Sequence, residues 1–109
     1  MFKMEVKIPF NKWSEERLEQ GRKLCTSRNK IYGSVGDSFH SKSAVHFIKL
    51  IKPFPLWFVR DFLYQLEGAN SPDEFVSVWK IIYRGRFNED KVVYVHFFSN
   101  PFHEDKLLR

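Results

Sequence analysis

Lys23 and Thr26, within the run GRKLCTSRNKIYGSVGD at residues 21–37, are the pair in this chain best suited to chemistry. A threonine hydroxyl is a weak nucleophile until a base takes its proton, and a lysine can serve when burial or nearby cations depress its pKa. Arg22 and Arg28 are such neighbours. A carboxylate is needed as well, to orient the pair or relay the proton. On a regular strand positions 23 and 26 face opposite sides. The two can cooperate only if Lys23 lies in the turn before the strand or at a bulge. Otherwise they read as a solvated lysine and a β-favoured threonine.

Cys25 sits between them and invites a thiol nucleophile, helped by Lys23 and Arg28. No histidine is near it in sequence, and a lone strand cysteine is usually a small core hydrophobe. His40, His46, His96 and His103 show no helical pairing and no acidic cluster. A metal site is therefore not expected, and a single cysteine excludes an internal disulfide. No nucleotide-binding glycine loop or serine elbow occurs, since GSVGD is too short for either. No cofactor is expected.

The charge is uneven. The chain carries a net +5, but residues 20–60 hold eight basic groups against Asp37 alone. Residues 1–19 balance four against four, and residues 61–109 hold six basic groups against eight acidic ones. Such asymmetry marks a face that meets anions, nucleic acid being the commonest. A solvated basic surface gives the same pattern.

A length of 109 residues fits one domain. Hydrophobic residues make up 43%, with twelve Phe, four Tyr and three Trp, enough for a core of its own. The longest apolar runs fall short of the ~20 residues of a membrane helix, and MFKMEVKIPF lacks the pattern of a secretory leader. A soluble cytoplasmic protein without membrane contact is expected.

The elements that must position the basic run follow from periodicity. MEVKIP at 4–9 alternates as a short first strand. NKWSEERLEQG reads as a helix capped by Ser14, with Gly21 at its C′ position. Residues 24–28 and 37–40 are short strands, and residues 44–52 are a longer one, apolar on both parities and ended by Pro53 and Pro55. LWFVRDFLYQLEG is a helix with Pro55 at its first position, closed by Gly68. SPDE at 71–74 is a capping box, followed by Phe75, Val78, Trp79 and Ile82 at helical spacing over Pro72–Tyr83. KVVYVHFF at 91–98 is a final strand, and residues 99–109 form a tail without period, partly mobile in expectation. The fold class is α+β, a small closed or half-closed sheet with three short helices.

RLEQGRKLCTSRNKIYGSVGDSF resembles the opening motif of ASCH domains, members of the PUA-like superfamily: a short helix, G-[RK]-K, a threonine, an arginine two residues on, then G-D before a strand. PLWFV, EG, SPDEF, W and VVYVHFF are similar to the second half of such domains, and the likeness spans roughly residues 4–98. The resemblance implies a mixed β-barrel of five to six strands with two to three short helices around it, and a cleft beside the first-motif strand.

It also implies RNA or a nucleoside as partner, because PUA-like domains commonly bind RNA. On that reading the chain is an RNA-binding module with a basic cleft beside residues 22–30. Arg22, Lys23, Arg28 and Lys30 would contact phosphates, and Tyr32 or Trp57 would stack on a base. One branch of the family hydrolyses the amide of acetylated cytidine with a Lys, Thr and Glu set. Lys23 and Thr26 match its lysine and threonine, Glu67 is the nearest match to its glutamate, and Leu24 stands where a second hydroxyl residue is usual. As a hydrolase, Thr26 would attack, Lys23 activate it, Glu67 relay the proton and Arg28 clamp the oxyanion or substrate.

Overall fold

A computed structural model describes residues 3–107. Four antiparallel strands, β1 (Cys25–Arg28), β2 (Ser38–His40), β3 (Val45–Pro55) and β4 (Val92–Phe98), form one curled sheet in the order β1-β4-β3-β2. The helices are α1 (Lys12–Glu19), α2 (Leu56–Phe58), α3 (Tyr64–Glu67), α4 (Pro72–Ile82) and α5 (Pro101–Leu107), with a π-helical stretch, Val59–Leu63, joining α2 to α3. The α+β class stands, with four strands among the described residues rather than five or six. The expected first strand is a single parallel bridge, Glu5 to Ser38. No helix is long and apolar enough to cross a membrane among the described residues.

β4 is buried on both faces, as its unbroken apolar run requires. Val93 and Val95 join Leu56, Val59, Phe75 and Trp79 in one core. Phe98 packs on the other side with Ile8, Leu18, Phe39 and Ile48. A bulge between Ile48 and Leu50 bends β3, so that one strand serves both β2 and β4.

β3 does not stop at Pro53. It runs through both prolines, which pair in register with Tyr94 and Val92. The Leu56 N–H donates to the Lys91 carbonyl at 2.8 Å. Bonded positions alternate along an antiparallel ladder, which places the nitrogens of residues 53 and 55 on the edge away from β4. β2 reaches only Val45 to Phe47 and leaves that edge open. A missing N–H costs nothing there.

The N-cap of α1 is Asn11, whose Oδ1 accepts from the Ser14 N–H at 2.9 Å; Ser14 itself is buried in the first turn. Pro55 is the cap of α2 rather than its first residue. Ser71 caps α4 as expected, and Glu74 completes the box on the Asn70 N–H, one residue further back. On that helix Phe75 and Trp79 are buried, whereas Ile82 is exposed at the rim of the cavity described below.

The tail is a helix as far as Leu107. The Asn100 side chain is buried, donates to the carbonyls of Leu18 and Lys23 at 3.0 and 3.1 Å, and accepts from the Phe102 N–H. This seats α5 on the α1–β1 turn. Gly21 holds φ 72°, and a Cβ there would lie 2.7 Å from the Phe102 backbone.

Two histidines are enclosed in the sheet. His46 stacks on Phe39, with Nδ1 2.9 Å from the Ser99 carbonyl and Nε2 2.8 Å from Ser41 Oγ. His96 Nε2 accepts the Tyr32 N–H at 2.9 Å while Nδ1 faces the Tyr94 carbonyl at 3.0 Å, which selects the neutral ring protonated at Nδ1. Burial, above all else, pushes both pKa values below 6.5; for His96 Arg28 adds to it, and for His46 His40 does, against an opposing pull from Glu19. The unfolded chain then binds protons that the folded one refuses, and stability is lost as pH falls below about 6.5. Urea midpoints at pH 7.5 and 5.5 should differ, the lower value at pH 5.5. Equal midpoints would show that both rings protonate freely in the fold.

Candidate functional site

β1 is an edge strand, and a cavity of about 330 Å³ lies along it between α1 and α4. Its inner end is polar. Lys23 comes from the turn after α1, where the N–H groups of Arg22 and Lys23 both donate to the Arg17 carbonyl, at 2.9 and 3.3 Å. The turn placement that the Lys23–Thr26 pair requires is therefore present. The Lys23 side chain is 2% exposed, and its Nζ donates to Glu67 Oε1 at 3.0 Å and to the Glu67 carbonyl at 2.9 Å. The other carboxylate oxygen accepts from Ser27 Oγ at 2.5 Å.

Glu67 is delivered by the last residue of α3. The Leu24 N–H ties that helix to the strand by donating to the Leu66 carbonyl at 2.7 Å. Gly68 ends it at φ 103°, where a Cβ would strike Arg17 Cγ at 2.7 Å.

Thr26 lines the same cavity, but its hydroxyl accepts from Arg28 Nε at 3.1 Å. The hydroxyl bonded to Glu67 is that of Ser27. Strand alternation separates the two, with Thr26 and Arg28 on one face and Cys25 and Ser27 on the other. Cys25 is fully buried, and its thiol is pushed up first by burial and then by the Glu67 charge, so it stays protonated. It is a core residue and not a nucleophile.

The walls are aromatic: Phe10 and Trp13 on one side, Phe75, Trp79 and Tyr83 on the other. The Arg28 guanidinium lies 4.9 Å from the Phe10 ring and 5.7 Å from Tyr32, and burial lowers its pKa. Lys23 is matched by Glu67, which leaves Arg28 as the lining cation with no ion-pair partner among the described residues. The strand edge adds main-chain groups. The Phe98 N–H donates to the Leu24 carbonyl at 3.0 Å, so by alternation the peptide groups of Cys25 and Ser27 point away from β4.

Lys23, Thr26, Arg28 and Glu67 are thus brought together. Arg22, Lys30, Tyr32 and Trp57 are not in the lining. Arg22 donates to Asn70 Oδ1 and the Gly68 carbonyl, bracing the loop after α3. Lys30 extends over Tyr32, 5.0 Å from the ring centroid. Trp57 packs against Phe58 on α2. The basic run therefore does not form one cleft. Reading the sequence missed Ser27, Phe10 and Trp13. Ser27 carried a usable signal, since a strand hydroxyl two residues from a buried cysteine shares its face.

No protein-family model matches the sequence, and no curated protein matches it. Solved structures share its fold, among them the following two. An ASCH domain from Lactobacillus crispatus is 13% identical, superposes with a TM-score of 0.61, and matches over 89% of this chain and 79% of that one. A DUF984 protein from Enterococcus faecalis is 20% identical, with a TM-score of 0.56, over 91% of this chain and 79% of that one. With the curled sheet, the edge-strand cavity and the helices flanking it, the likeness establishes that this chain has the fold of an ASCH domain.

Proposed function

We propose that the chain is a small RNA-binding module of the ASCH type that takes one unstacked base into the cavity beside β1. The observation that carries this reading is the lining: aromatic walls on two sides and hydrogen-bonding groups of both polarities at the inner end. Single-stranded RNA is read in this way, by stacking on aromatic faces and bonding along base edges. Arg28 and the Ser27 peptide N–H offer donors, while Glu67 and the Ser27 carbonyl offer acceptors. Lys23 acts by holding Glu67 and not by meeting a phosphate, because it is 2% exposed.

Titrating the four ribonucleosides should change the fluorescence of Trp13 and Trp79. Arg28→Gln should weaken binding about tenfold, the effect of losing one charge-assisted hydrogen bond. Absence of any spectral change, or an affinity indifferent to both Arg28→Gln and Tyr83→Ala, would overturn the reading.

The amidohydrolase alternative has one observation in its favour: Lys23, Thr26 and Glu67 line one cavity. Against it, the Thr26 hydroxyl is engaged by Arg28, and Lys23 is occupied by Glu67. Adding acetylated cytidine to the same titration and assaying released acetate decides between them. Turnover abolished by Thr26→Ala and partly kept by Thr26→Ser would replace the binding reading with the catalytic one.

A further inference from the structure

The cavity opens onto a second depression. A groove of about 520 Å³ shares Trp79, Ile82 and Tyr83 with it and continues past Asn29 to Arg84, Arg86 and Lys91. All three basic residues are exposed, and none takes part in an ion pair among the described residues. Of the two acids in the connecting turn, Glu89 is held by Arg60 at 3.0 Å, and Asp90 is not part of the groove wall.

A helix C-terminus attracts cations through its dipole, which accounts for Lys80 in the last turn of α4. It does not account for the backbone of Arg84. The Gly85 N–H donates to the Lys80 carbonyl at 2.6 Å, the long bond of a Schellman ending. The residue before it must then turn left-handed. Arg84 does so at φ 56°, alone among the described non-glycine residues. Glycine would hold that turn with less strain. A non-glycine residue held in that conformation at the rim of a groove points to a role for its side chain.

We propose that this groove carries the phosphates flanking the base held in the cavity, so that the ligand is a single-stranded oligonucleotide and not a free nucleoside. The inference rests on the base-binding reading of the cavity. The guanidinium groups of Arg84 and Arg86 match phosphate oxygens in pairs, and Lys91 supplies a point charge. The shared wall of Trp79, Ile82 and Tyr83 makes base site and phosphate track one continuous surface.

Two probes separate the two sites. Free ribonucleosides, followed by tryptophan fluorescence, report the cavity alone. A short labelled single-stranded RNA, followed by anisotropy over a salt series, reports both. The RNA should bind more tightly than any nucleoside, with a log–log salt slope near −2 for three phosphate contacts at about −0.7 each. The triple variant Arg84→Gln, Arg86→Gln, Lys91→Gln should flatten the slope towards zero and leave nucleoside binding unchanged. Arg84→Gly should raise the melting temperature while weakening RNA binding. A triple variant that keeps its RNA affinity and slope while nucleosides still bind would overturn the groove and spare the cavity. If neither probe binds the native protein, both readings fall.

Discussion

Glu67→Ala should destabilise the fold by about 3–5 kcal/mol, the usual loss when one partner of a buried ion pair is removed. It leaves the Lys23 ammonium, 2% exposed, with a backbone carbonyl as its one hydrogen-bond acceptor among the described residues, and it strips the Ser27 hydroxyl of its acceptor. Against a typical total of about 5–15 kcal/mol this is a large fraction. Replacing both partners by apolar residues, Lys23→Met with Glu67→Leu, should recover much of the loss, since no charge is then left unpaired in the interior. Urea unfolding of the two single variants and the double measures the coupling. Single losses below about 1 kcal/mol, or a double variant no better than the worse single, would show that the pair is hydrated and not enclosed. Any loss of binding or turnover in these variants also has to be set against unfolding. Arg28→Gln and Thr26→Ser are the gentler probes.

Trp79→Ala should cost a similar amount, about 3–5 kcal/mol, as large-to-small changes at buried aromatics do. The ring is 6% exposed and stacks on Tyr83, with centroids 4.4 Å apart. It belongs to the core around Val93 and Val95, and it also walls both the cavity and the groove. Trp79→Phe should restore most of the stability but less of the binding, because a smaller face stacks less well. Circular-dichroism melts read the first effect and nucleoside titration the second. A Trp79→Ala protein within 1 kcal/mol of the native one would place this residue outside the core.

Some of this was legible in the residues and some was not, for physical reasons. Ser71, Pro72 and Glu74 act on backbone groups a few positions away, so their meaning is local and α4 was readable. Lys23, Thr26 and Arg28 stand out by residue type and spacing and Glu67 through the motif it resembles, and the four do share a cavity. The partner of each was not readable, because β1 is short and a single residue of phase decides whether Thr26 or Ser27 meets Glu67. Pro53 and Pro55 misled for a related reason. Whether a proline ends a strand depends on which edge lacks a neighbour, a property of the sheet and not of the proline. The last helix was not expected, because the tail shows no apolar period and its seat depends on bonds from Asn100 to Leu18 and Lys23, residues some eighty positions away. Trp57 and Tyr32 looked like stacking platforms because aromatic type is visible in a sequence and position is not.

The wide turn at Val59–Leu63 also has a bearing on the site. Leu56 and Val59 are fully buried and three apart, so the start of this segment is indexed to the sheet core. Its end is indexed to Lys23 through Glu67. An α-helix advances about 100° per residue, and a π turn takes up one residue more than an α turn. The stretch therefore works as a phase shifter, letting two ends of one rod obey two unrelated angular demands. Wound as plain α-helix with no residue removed, the same segment would swing the carboxylate about 100° away from the ammonium it now meets.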